Sequence, residues 1–152
     1  MKLGTKRSEY AVFAVWELAR AYRNRRPVSA RKIAAKYGLS FLFLSRILQD
    51  LRGVSVIEAV RGPNGGFRLL VPPEELTLGY VVSAVEDVGR LQNSTKPKSD
   101  QKELSDDAIR VKDKLTDVWK KADERRQEFL NRIVFSDLIQ DAEEERPLNF
   151  SI

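Results

Sequence analysis

The sequence predicts a mainly α-helical fold with one small β-hairpin. Three observations predict it. Apolar residues recur at helical spacing over most of the chain, a glycine-rich turn joins two short apolar runs, and Ser or Thr stands where helices need caps. From Ser8 to Tyr22 the positions Tyr10, Ala11, Ala14, Val15, Leu18 and Ala19 make the stripe of a first helix. Arg23-Asn24-Arg25-Arg26-Pro27 ends it as a basic loop. Ser29 caps a second helix, with Ile33, Ala34 and Tyr37 on one face and Gly38 as its stop. One residue later Ser40 caps a third helix running to about Arg52, with Leu44, Ile47, Leu48 and Leu51 inward.

Val54–Arg61 is β-branched and roughly alternating, and reads as a strand. Gly62-Pro63-Asn64-Gly65-Gly66 is the strongest turn signal in the chain, and Phe67–Val71 returns as a second strand before Pro72-Pro73. Thr77 caps a further helix, with Leu78, Val81, Val82, Val85 and Val88 inward. Residues 90–102 are polar and read as a linker. A long helix is expected from Glu103. Along it Leu104, Ala108, Val111, Leu115, Val118, Ala122 and Phe129 follow a 4-3 spacing, interrupted at Arg125, which is the seam of a partner helix. A short helical pattern over Ile133–Ala142 follows. The expected division is residues 1–88, a linker at 89–102, and a unit at 103–152 made of a dimerisation helix and a tail.

Composition excludes more chemistry than it supports. Apolar residues are 42% and charged residues 32% of the 152, a globular balance. No apolar run approaches the roughly 18 residues that span a bilayer, and the start lacks a signal-peptide core, so the expectation is cytoplasmic, with no membrane. The chain has no cysteine and no histidine. Disulfides, thiolate nucleophiles and cysteinyl iron–sulfur ligation are excluded, and the commonest base and metal ligand is missing. We therefore expect no enzyme, no metal and no cofactor. The net charge of +5 is uneven: residues 1–72 carry 14 Lys/Arg against 4 Asp/Glu, and residues 73–152 carry 13 against 18. A basic half joined to an acidic half suits a polyanion-binding domain carrying an interaction domain; the alternative is a solvated basic surface.

The helix–tight turn–helix at Ser29–Arg52 is the central signal, against the alternative of an ordinary core hairpin. Turning Leu44, Ile47, Leu48 and Leu51 inward turns Leu42, Arg46 and Gln49 outward, with Ser45 at the edge. Arg reads guanine, Gln reads adenine, and Leu packs on a thymine methyl. The Ser40 hydroxyl and the free amides beside it suit a phosphate. In the hairpin, Arg61 and Arg68 stand at the base, with Gly62 and Gly65 at the tip, a shape for the minor groove. A nucleotide-cradling loop would need a following helix and a Lys-Ser/Thr pair, both absent. Lys6, Ser29, Arg31, Phe43, Arg52 and Asn64 complete the expected DNA-contacting set. These features together predict a winged helix-turn-helix domain plus a long dimerisation helix.

The chain also resembles the Rrf-two family of winged-helix regulators, the IscR, NsrR and CymR group, over residues 3 to about 88 and then the long helix. The resemblance is carried by Leu3-Gly4-Thr5-Lys6 leading into Tyr10-Ala11-Val12, by Val28-Ser29, Ile33-Ala34 and Ser40 through Leu44. Val60 through Leu69, Pro73 and Leu78 through Glu86 complete it. It implies a homodimer reading a partly palindromic, double-stranded DNA operator, with the third helix in the major groove and the wing in the minor groove. Many members bind an iron–sulfur cluster through three cysteines before the long helix. Here that stretch offers Ser94, Ser99 and Ser105, and hydroxyls do not replace thiolates. The chain is either a natural cluster-free member or one whose cysteines were exchanged for serine. Where members often carry Glu-Gln after the conserved Leu of the recognition helix, this chain has Ser45-Arg46, which changes the expected operator. The expectation is a sequence-specific regulator, a repressor, open to a small-molecule or protein effector. The alternative is a regulatory module whose C-terminal half docks a partner protein.

Overall fold

In the computed structural model, which describes residues 4–93 and 104–144, helix α1 (Lys6–Arg20) is the central element. Thr5 starts it by accepting a hydrogen bond from the Ser8 amide on its Oγ1. Its stripe of Ala11, Ala14, Val15 and Leu18 is buried, and a 3-10 turn at Tyr22–Asn24 follows. Helices α2 (Ala30–Tyr37) and α3 (Phe41–Gly53) cross it, then strands β1 (Ile57–Val60) and β2 (Gly66–Leu69) form an antiparallel pair. Helix α4 (Leu78–Asn93) covers α1 and α3, and α5 (Asp106–Leu130) and α6 (Phe135–Glu143) complete the order. The mainly helical fold with one hairpin and a long C-terminal helix matches the sequence expectation.

One core serves all these elements. Leu44, Ile47, Leu48 and Leu51 of α3 meet Leu18, Val56, Ile57, Val81, Val85 and Phe135. Burying each such side chain contributes about 1.5–3 kcal/mol, which fixes the orientation of α3 about its own axis. The turn before it is equally defined. Gly38 ends α2 at φ 63°, a conformation other residues resist, and Leu39 donates back to the Ala34 carbonyl at 2.8 Å. Helix α2 is tied to α1 by Glu17, whose Oε1 accepts from Lys36 Nζ and from Tyr37 Oη at 2.6 Å each. Burial would raise the Glu17 carboxyl, but these hydrogen bonds and the Lys36 and Arg20 charges outweigh it and hold it below its ordinary value. Tyr37 is pushed up to about 12, by burial first and then by the carboxylate it donates to.

Four boundaries differ from the sequence reading. Helix α3 runs on to Gly53, and Ser55 turns at φ 59°, so β1 begins at Ile57 rather than Val54. Strand β2 spans Gly66–Leu69 rather than 67–71. Helix α4 continues through Asn93, into the stretch read as linker; the rest of that linker, with Ser94 and Ser99, lies outside the described residues. Helix α5 begins at Asp106 with Ser105 as its cap, so Leu104 precedes the helix instead of opening its seam. The tail does more than its pattern implied. Phe135 is fully buried, and its amide donates to the Leu76 carbonyl at 3.0 Å while Leu78 donates to the Ile133 carbonyl at 2.7 Å. The C-terminal segment is thus bolted into the core of the N-terminal elements.

Candidate nucleic-acid interface

Helix α3 presents its polar side as the packing of its apolar side requires. With Leu44, Ile47, Leu48 and Leu51 inaccessible, Arg46, Gln49 and Arg52 are exposed, and Leu42 is 66% exposed. An apolar side chain so open at the start of a helix is the kind of group that packs on a thymine methyl. Ser40 accepts from the Phe43 amide at 3.3 Å, and Ser45 donates to the Phe41 carbonyl at 2.8 Å. Phe43 is half-buried, its ring edge-on to Tyr10, and Lys6 Nζ lies 5.2 Å from its centre. Arg31 on α2 stacks over the Phe41 ring at 4.7 Å. Lys6 and Arg31 are thereby held over aromatic rings next to α3.

The wing is fixed to α2 as well as to itself. In the hairpin register Glu58 faces Arg68, and Arg68 Nε donates to Glu58 Oε1. The Arg68 charge is therefore engaged within the wing. Arg61 is exposed directly after the last residue of β1, Gly62 and Asn64 are exposed in the turn, and Gly65 is half-buried. Val28 pairs with Phe67 through two hydrogen bonds of 2.8 and 2.9 Å, so the residue before the Ser29 cap acts as a short third strand. Ser29 in turn accepts from the Lys32 amide at 3.2 Å. This pairing opens a cleft of about 460 Å³ between Arg26, Ser29 and Lys32 on one side and Pro63, Asn64 and Gly65 on the other. No carboxylate lines it. Arg26 and Lys32 were not in the predicted set; Arg26 closes the basic run 23–26, and Lys32 follows Arg31 in α2. Among the described residues Arg26, Lys32, Arg46 and Arg61 form no ion pair with a carboxylate, so their charges are available to a polyanion.

The fold has known relatives. The model of the Rrf2 family, described as an iron-dependent transcriptional regulator, matches residues 4–141. The chain belongs to the Rrf2 family. It is a helix-turn-helix transcriptional regulator of the IscR/CymR type, and this family consists of regulators rather than catalysts. The regulator IscR of Aliivibrio salmonicida is 37% identical over 87 residues, 57% of this chain, and the match spans only 51% of that protein. IscR of Vibrio campbellii is 28% identical over 146 residues, 94% of this chain and 80% of its own length. Among solved structures, T. potens IscR superposes with a TM-score of 0.70 at 25% identity, over 99% of this chain and 94% of that one. CymR, the global cysteine regulator of B. subtilis, gives 0.65 at 23% identity, over 92% and 98%, and shares the fold.

The iron in the Rrf2 family description does not fit this chain's donor set. The chain has neither cysteine nor histidine, and no group of three or more Asp/Glu among the described residues could hold a metal ion. Ser105, the one described serine of the three in the cluster-loop stretch, uses its Oγ to accept from the Ala108 amide at 3.3 Å as the cap of α5. Its role here is to start a helix.

That helix is the second unusual surface. Its 25 residues span about 37 Å at 1.5 Å per residue, and none is buried. Its last turns rest on α4: Gln127 donates to the Gly79 carbonyl at 3.0 Å, and Arg126 pairs with Glu86 at 3.3 Å. Earlier along it, Val111 is 58%, Leu115 47% and Val118 56% exposed, and these three share one shallow apolar groove. Ala108 is half-buried, Ala122 and Phe129 exposed. Trp119, at 65%, widens the seam and was not among its predicted members.

Proposed function

We propose that the chain is a sequence-specific DNA-binding repressor that works in the cytoplasm as a homodimer on a partly palindromic operator, without an iron–sulfur cluster. The observation that carries this reading is the row Leu42, Arg46 and Gln49, exposed on a helix whose opposite face is wholly buried, beside a wing pinned to α2. Such a head enters the major groove with α3 while the wing follows the minor groove. Ser40, Ser29, Lys6, Arg31 and Arg52 hold phosphates and set register, and Arg46 with Gln49, flanked by Leu42 and Ser45, reads bases. The exposed seam of α5 supports the dimer, because a helix of this length with an open apolar face gains most of its stability from a partner. A small-molecule or protein effector supplies the signal.

Two arginines should differ in kind. Arg46→Ala should relax preference at one major-groove position in each half-site, a loss of about 1–3 kcal/mol of discrimination. Arg61→Ala should weaken binding to all sequences and lower the salt slope by about one unit. Titrating both variants against operator mutants at several salt concentrations tests this. If Arg46→Ala weakens every sequence equally, Arg46 clamps a phosphate and specificity resides in Leu42, Ser45 or Gln49.

The purified protein should be colourless after anaerobic expression with iron. Visible charge-transfer absorption with stoichiometric iron would overturn the cluster-free reading.

A further inference from the structure

Arg7 stands in the first turn of α1, next to Lys6, yet its guanidinium turns inward. One of its Nη atoms pairs with Asp50 of the recognition helix, and its Nε donates to the Val85 carbonyl of α4 at 2.9 Å. Both side chains are less than one-fifth exposed. The next residue of α4, Glu86, pairs through both carboxylate oxygens with Arg126 of α5, at 3.3 and 3.4 Å. Two consecutive α4 residues therefore join the helix that reads DNA to the helix that carries the dimer seam. The planar guanidinium suits the junction, since its rigid fork fixes the mutual angle of two elements where a lysine would fix only a distance. Shielding from water strengthens the link, and losing either partner leaves the other charge poorly compensated.

We propose that Arg7 is a positioning residue that sets the tilt of α3 relative to α5, and thereby the operator spacing that the dimer accepts. This inference rests on the dimeric DNA-binding reading above. Two recognition helices must meet half-sites about one helical turn, roughly 34–36 Å, apart. A small change of tilt at Asp50 moves each reading head along the groove, without touching the outward residues Arg46 and Gln49 that choose the bases.

The test uses an operator that the 152-residue chain selects from random duplex DNA, remade with one base pair inserted or deleted between the half-sites. The wild-type chain is expected to prefer its own spacing by about tenfold or more, within the usual range of coupling between sites. In Arg7→Met the preference should shrink to about threefold or less, with base preference inside each half-site unchanged. Asp50→Asn, which keeps the side chain's shape and an acceptor, should shift spacing preference the same way. Arg7→Met combined with Arg126→Met should lose little more than Arg7→Met alone, because both cut one path. If Arg7→Met and Asp50→Asn weaken all spacings equally, Arg7 merely stabilises the domain and the proposal is overturned. A wild-type chain indifferent to spacing would instead overturn the dimeric reading beneath it.

Discussion

Gly66→Ala should detach the wing from α2 and abolish specific DNA binding, although Gly66 has no side chain to offer DNA. A Cβ at this position would lie 2.5 Å from both the carbon and the oxygen of the Val28 carbonyl and 2.8 Å from the Ser29 nitrogen. All three are backbone atoms, so no rotamer relieves the clash. The φ of +153° adds strain for any L side chain. Overpacking of this kind costs about 1–3 kcal/mol, and a disfavoured backbone adds about 1–2. The sum, about 2–5 kcal/mol, is centred above the about 1–3 kcal/mol that the two hydrogen bonds between Val28 and Phe67 return, so the pairing should yield first. Thermal unfolding and DNA titration, read together, check this. Gly53→Ala, where a Cβ would meet nothing within 4 Å, is the control: it should leave DNA binding unchanged and stability the same or up to about 1 kcal/mol higher, because alanine is the better helix residue.

Replacing Leu115 and Val118 together by Asp should convert the proposed homodimer to monomers. Both side chains are about half exposed, so in the single chain the two changes together should cost no more than about 1 kcal/mol. In a dimer the same carboxylates would be buried against a second apolar seam, which costs several kcal/mol. Sedimentation should show a single monomeric species, and its unfolding midpoint should no longer rise with protein concentration. Persistence of the dimer would place the interface elsewhere on the chain.

The recognition unit was legible because its determinants are local. Ser29, Gly38 and Ser40 punctuate the helices within the chain's own sequence, and the spacing of Leu44, Ile47, Leu48 and Leu51 orients α3 without reference to distant residues. The misread boundaries lie where packing overrode propensity. Val54-Ser55-Val56 looks like strand, but α3 reaches Gly53 and Val56 turns into the core. Arg90 to Asn93 looks like linker, but polarity alone does not end a helix, and no proline stands there. What the sequence hid was long-range. The cleft of Arg26 and Lys32 against Asn64 exists only because Val28 pairs with Phe67, 39 positions away. The engagement of Arg68 by Glu58 needs the hairpin register, and the inward turn of Arg7 needs α3 and α4 in place. The family resemblance covered the fold but gave no sign of these contacts.

The most direct test of sequence-specific regulation compares two duplexes across a salt series: one selected from a random pool by the chain, and a scrambled version of it. At physiological salt the selected duplex should bind at least about a thousandfold more tightly than the scrambled one, and a clear excess should persist as salt rises. Equal affinities for the two duplexes, both vanishing together with added salt, would contradict the account. The α3 face would then be a basic surface that holds any DNA and reads none.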